Sequence, residues 1–219
     1  DDRPNIIQNP NVQIKVITWE RLKQLVKNTY KETIRVFSYF TLALNYYFGE
    51  FNVFGYHLVN FIIHVASGIF LYWFLFLTFN LPSLREKYGS ISYKVALFSS
   101  LIFISHPIQT QAVTYIVQRL ASLATMFYLL SITSYIRSRL STGKVKQYIF
   151  YGISFLSAIL AMKTKEIAFT LPVMITLYEI MFLEGPPPKR ILYLAPFLLT
   201  MSIIPLTLLT IDKPIGSLI

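Results

Sequence analysis

Three short stretches of this chain concentrate groups able to do chemistry. "DDR" at residues 1–3 sets two acids, Asp1 and Asp2, beside Arg3. "HPIQTQAVTYIVQR" at 106–119 opens on His106 and closes on Arg119, with amides and hydroxyls between. "KTKE" at 163–166 brings Lys163, Lys165 and Glu166 together, and Arg35 stands alone ahead of a long aromatic run. A carboxylate pair with several fixed cations suits a lipid phosphate ligand. Arginine grips phosphate oxygens bidentately, and lysine acts as a point charge. Charge near membrane depth is expensive, so by default it is functional or paired. The bland readings are that Lys165 and Glu166 neutralise each other and that Arg119 only snorkels to an interface.

The histidines carry less. His57, Asn60 and His64 recur at i, i+3 and i+7, along one stripe of a helix. Two turns is a rise of about 10 Å, too far for His57 and His64 to share one metal ion. Packing and hydrogen bonding between helices is the favoured reading for both. His57 lies nearer the polar end and is the better ligand candidate. His106, just before Pro107, is either a helix cap or a site residue. No set of residues has convincing metal-ligand spacing, so a divalent metal has no assigned ligands and the cofactor is undetermined.

These groups sit in a chain too greasy for a soluble domain. Of 219 residues, 54% are hydrophobic and 14% charged, against roughly a quarter charged in soluble proteins. The net charge of +10 does not form a stripe. The basic residues fall in the breaks between apolar runs, as orienting charges do, and nucleic acid is excluded as a partner. With no cysteine, disulfides, thiolate metal sites and thiol nucleophiles are excluded. Asp1 is no start residue, so the sequence reads as a fragment of something longer.

The elements that must position the polar stretches are all helical: an all-α, polytopic transmembrane bundle. Residues 1–55 read as an external loop and 56–219 as the bundle. "TWERLKQLVKN" puts Trp19, Leu22, Leu25 and Val26 on one face, with Thr18 as N-cap, and predicts an interfacial helix over about 18–29. "VFSYFTLALNYYFG" at 36–49 is short of the roughly 20 residues a crossing needs, and reads as a second interfacial helix. Spans are expected at about 56–79, 91–105, 114–136, 147–163, 167–183 and 191–211. The connections at 80–94, 137–146 and 184–190 hold Arg85, Lys87, Lys94, Arg137, Arg139, Lys144, Lys146, Lys189 and Arg190. The opposite ones hold only Arg119, Lys163 and Lys165, with Lys213 in the tail. The first set is therefore expected on the cytoplasmic side, and the three chemical stretches on the other.

In order along the chain, "DDRPNIIQNP", Arg35, Thr41 and Asn45, "FGYHLVNFIIH", "HPIQTQAVTYIVQR" and "KTKE" followed by "LP" resemble the membrane half of TMTC-type, TPR-bearing O-mannosyltransferases. They also resemble bacterial relatives with the GT-C glycosyltransferase fold. The resemblance covers nearly the whole chain. It implies that the first transmembrane helix precedes Asp1, that two helices lie along the membrane in the first external loop, and that a TPR domain lies elsewhere in the full-length chain. It implies a transferase that moves a sugar from a polyprenyl-phosphate carrier to a protein or glycan hydroxyl, chiefly a Ser or Thr. Asp1 matches the general base and Asp2 the neighbouring, positioning acid. Arg3, Arg35, His57, His106, Arg119, Lys163, Lys165 and Glu166 are the candidates for binding the lipid phosphate and substrate, with Arg119 and Lys165 favoured. Where this chain has Gln111 the family often has an acid, so an acid or metal role there is in doubt.

That chemistry is reasonable in itself. A hydroxyl needs its proton accepted as the C–O bond forms, and a departing phosphate needs fixed cations. One base without a carboxylate nucleophile predicts inversion at the anomeric carbon, because adjacent acids cannot flank a bond from two sides. The competing class is non-catalytic: a degenerate GT-C-like membrane scaffold, or a lipid-phosphate transporter or flippase. The expected location is an integral membrane, multi-pass, with the bacterial inner membrane favoured over the endoplasmic reticulum and the active site on the non-cytoplasmic side.

Overall fold

The computed structural model describes residues 2–211; Asp1 and Lys213 lie outside the described residues. The described residues contain helices and no strand. After a π-type turn at Arg3–Ile7 come α1 (Trp19–Glu32), α2 (Val36–Gly49) and α3 (Val53–Phe79). Next are α4 (Pro82–Tyr88), α5 (Ser92–Ser105), α6 (Thr110–Thr114) and α7 (Arg119–Leu140). The chain continues through α8 (Lys144–Met162), α9 (Leu171–Phe182), α10 (Pro187–Thr200) and α11 (Ile203–Leu208).

Local signals explain the ends. Thr18 accepts a hydrogen bond from the Arg21 N–H and so caps α1, as its position predicts. Asn52 caps α3 by accepting from the Phe54 N–H. Pro82 and Pro187 sit in first turns, where their missing N–H costs nothing. The apolar face expected on α1 divides on packing. Leu25 is buried with Ile14 and Ala43, while Trp19 and Val26 stay exposed.

Five segments are long and apolar enough to cross a membrane: Val53–Phe79, Pro82–Ser105, Ile116–Leu140, Lys144–Met162 and Arg190–Leu208. This is a multi-pass membrane protein. The second is α4 and α5 joined through a 3-10 turn at Gly89–Ile91, longer than the 91–105 expected. The expected span at 167–183 is not among them. It is split into a 3-10 turn at Glu166–Thr170 and the 12-residue α9, which together rise about 28 Å from the 163–166 turn toward the opposite end, where Glu179 meets Arg139.

α7 is the central element: half of its apolar window is buried within the protein, against 17–28% for the other four. It packs mainly on α3 and α8. Between α7 and α8 the approach is close because the facing residues are small. Ser131 donates to the Ser154 carbonyl at 2.9 Å, and Ser154 returns a bond to the Ser131 carbonyl at 2.7 Å. Ala158 and Ala161 are fully buried along the same seam. Small residues and hydroxyl bonds are how helices associate where lipid supplies no hydrophobic drive. α3 also packs tightly on α5 at Gly68, where a Cβ would stand 2.3 Å from Ile104 Cδ1.

Candidate functional site

The helix order brings residues 104–118, the 163–166 turn and the start of α2 to one end of the bundle. The N-terminal end of α2 is pinned there by two bonds to the turn: Phe37 N–H to the Lys163 carbonyl at 3.0 Å, and Ser38 Oγ to the Thr164 carbonyl at 3.0 Å.

The polar stripe of α3 holds the 104–118 segment by its backbone. His64 Nε2 lies 3.0 Å from the Ile104 carbonyl and His57 Nδ1 3.0 Å from the Val113 carbonyl. Since a carbonyl only accepts, those ring nitrogens carry the protons. Asn60, buried between the two, donates to the Tyr115 and Ile116 carbonyls, each at 3.3 Å. The favoured reading of this stripe as interhelical hydrogen bonding describes what it does. His106 acts as a cap: its Nδ1 accepts from the Ile108 N–H at 3.2 Å and starts a 3-10 turn.

Arg119 is fully buried, with 0% of its surface exposed. Its Nε donates to Asn60 Oδ1 at 2.7 Å, Nη2 to the Tyr56 carbonyl at 3.0 Å and Nη1 to the Thr41 carbonyl at 3.3 Å. Its guanidinium also lies 5.6 Å from the centre of the Tyr56 ring. Every nitrogen is engaged, and the side chain ties α2, α3 and α7 together. The snorkelling alternative does not occur, and the geometry gives Arg119 a structural partner set in place of an open phosphate grip.

The acids and the remaining cations are arranged differently. Asp2 Oδ1 accepts from the Val117 N–H at 2.8 Å. Asp2 also lines an apolar cavity of about 190 Å³ with Ile6, Phe51, Val53, Tyr56 and Ile116. Asp1, its expected partner, precedes the described residues. Arg3 is exposed on the π-type turn. Arg35 Nε meets Glu166 Oε1 at 2.9 Å, with both side chains part-exposed. Glu166 therefore pairs across the site and not with its neighbour. Lys165 is half-buried and, among the described residues, its ammonium has no hydrogen bond or ion pair. Lys163 donates to Thr207 at 2.7 Å and lies over the Tyr30 ring at 4.7 Å.

Tyr39 belongs to this cluster although its sequence context did not mark it. Its hydroxyl donates to Asn5 Oδ1, linking α2 to the N-terminal turn. Burial raises its pKa above the usual tyrosine value, with the Arg35 charge opposing. It stays a neutral donor at physiological pH. Among the described residues no three His, Asp or Glu side chains converge as metal ligands.

The opposite end holds another group missed in the sequence. Glu179 is fully buried and accepts from Arg139 at 2.8 and 3.0 Å and from the Tyr135 hydroxyl at 3.0 Å. Its signal was a single acid inside the apolar "MITLYEIMF". Arg139 and Arg190, expected as plain cytoplasmic connectors, are instead bound to it or lie within 4.0 Å.

The fold and the polar end together define a multi-pass, all-α membrane protein with a cluster of acids and cations at one end. The resemblance drawn from the ordered motifs is borne out by comparison with known proteins. The chain is 31% identical over 157 residues, 70% of its length, to protein O-mannosyl-transferase TMTC3 of Homo sapiens. It is 31% identical over 154 residues, 69% of its length, to protein O-mannosyl-transferase TMTC2 of the same species. It is 27% identical over 147 residues, 64% of its length, to protein O-mannosyl-transferase F38B6.6 of Caenorhabditis elegans. The matches cover 15%, 17% and 20% of those three proteins. No family profile and no solved structure matches the chain.

Proposed function

We propose that this chain is part of the membrane module of a glycosyltransferase that moves a sugar from a polyprenyl-phosphate carrier to a hydroxyl, chiefly a protein Ser or Thr. The reaction takes place on the non-cytoplasmic face of the membrane. The observation that carries the proposal is the similarity to several protein O-mannosyl-transferases over about two thirds of the chain.

In this reading Asp1 accepts the proton of the attacking hydroxyl. Asp2 positions it: the Val117 N–H occupies one carboxylate oxygen and leaves the other for the acceptor. Lys165, whose ammonium has no protein partner among the described residues, is the cation best placed to meet the departing phosphate, and Arg3 is the second. Arg35 supports the pocket through Glu166. Arg119 leaves the list of phosphate ligands and becomes the tie that holds α2 and α3 to the start of α7. With a single displacement the product has the opposite anomeric configuration to the donor.

The test is transfer by the purified full-length protein from polyprenyl-phosphate mannose to a Ser/Thr peptide. The expected product carries a hydroxyl-linked mannose of inverted configuration. Intact donor after prolonged incubation, with the lipid phosphate instead moved across the membrane, would support the transporter class and end this proposal.

A further inference from the structure

A second cavity lies between α3, the 104–118 segment and the start of α7, with a volume of about 190 Å³. Among the described residues no Asp, Glu, Lys or Arg lines it. A phosphate or carboxylate would find no counter-charge there. What lines it instead is neutral hydrogen-bonding capacity. The side-chain amides of Gln109, Gln111 and Gln118 have, among the described residues, no protein partner. Ser122 and Thr125 donate to the carbonyls one turn back, at 3.2 and 3.0 Å, so their oxygens remain free to accept. Phe103 and His64, stacked at 5.5 Å and 30°, form the apolar wall.

Each of these features selects against something. The absence of charge selects against ions. Three open amides in a space this small select against a hydrocarbon chain, because burying them without partners would cost several hydrogen bonds. The volume is below the roughly 300–1,000 Å³ of drug-sized sites and holds one small ring. A compact ligand with hydroxyls around its edge and a C–H face for the aromatic wall satisfies all of them. A side-chain amide is donor and acceptor at once and matches two neighbouring hydroxyls.

We propose that this cavity is a monosaccharide subsite. It rests on the glycosyltransferase reading only for the identity of the sugar. Its position supports the pairing with the acids. The 3-10 turn Ile116–Gln118 presents Gln118 to the cavity and the Val117 N–H to Asp2. One turn therefore couples the sugar subsite to the acidic end.

The test is saturation-transfer difference NMR on the purified protein in deuterated detergent, with methyl α-D-mannopyranoside as the probe. Wild type is expected to transfer saturation to the ring protons. Gln111→Leu and Gln118→Leu are expected to lose most of it while keeping the wild-type melting temperature. Glu86→Gln, exposed on α4 and outside the cavity, is expected to keep it. Absence of transfer in wild type, or transfer unchanged in both Gln variants, overturns the proposal. Should Gln118→Leu fold poorly, Gln111→Leu decides alone, since Gln111 is exposed. Sugar contact without any glycosyl transfer would leave the subsite standing and remove the catalytic reading. Glycosyl transfer without sugar contact here would do the reverse.

Discussion

Arg119 and Lys165 were the two cations favoured in the sequence as phosphate ligands. The structure separates them. Arg119 is buried and spends its nitrogens on Asn60 and two carbonyls, while the Lys165 ammonium is left over. Nothing in the spacing could have shown this, because the Arg119 partners stand roughly 60 to 80 positions away and two of them are backbone. The predictions therefore diverge. Arg119→Met leaves buried acceptors unsatisfied, at about 1–3 kcal/mol each. A marked fall in melting temperature and in monodisperse yield is expected, together with activity. Lys165→Gln is expected to keep the wild-type melting temperature and lose roughly 10²-fold in transfer rate. Equal melting behaviour for the two variants would refute the distinction. The pairing of Glu166 was also misplaced by adjacency: Lys165 is its neighbour, but Arg35 reaches it across the site.

At the scale of elements, the apolar runs were legible because lipid imposes length and composition together. α2 lies at the expected 36–49. The start of α9 was not legible: Glu166–Thr170 form a 3-10 turn that no composition rule marks, so the helix begins only at Leu171. The His57, Asn60 and His64 stripe was readable as a stripe, not as a clamp on the carbonyls of 104–116. That clamp has a measurable consequence. Asn60→Leu removes bonds to Tyr115 and Ile116 and the partner of the Arg119 Nε. Faster amide hydrogen exchange over 104–118, with α8 and α9 unchanged, is the expected result. Uniform loss of protection along the chain would show a global effect instead.

The whole molecule separates two polar ends. One end gathers Asp2, Arg35, Lys165 and Glu166, and the other the Glu179 and Arg139 pair. We propose from the basic connectors that the second end faces the cytoplasm. The chain has no cysteine, so single cysteines report sidedness cleanly. Thr110→Cys is expected to react with a membrane-impermeant maleimide only from the non-cytoplasmic side, and Ser141→Cys only from the cytoplasmic side. Both reacting from one side would undo the topology, and with it the placement of the acids. The most direct measurement is mannosyl transfer by purified Asp1→Asn and Asp2→Asn proteins beside wild type. The general-base reading predicts a loss of about 10²–10⁴-fold for Asp1→Asn, a smaller loss for Asp2→Asn, and unchanged melting temperature for Asp1→Asn. Full transfer by Asp1→Asn would contradict it.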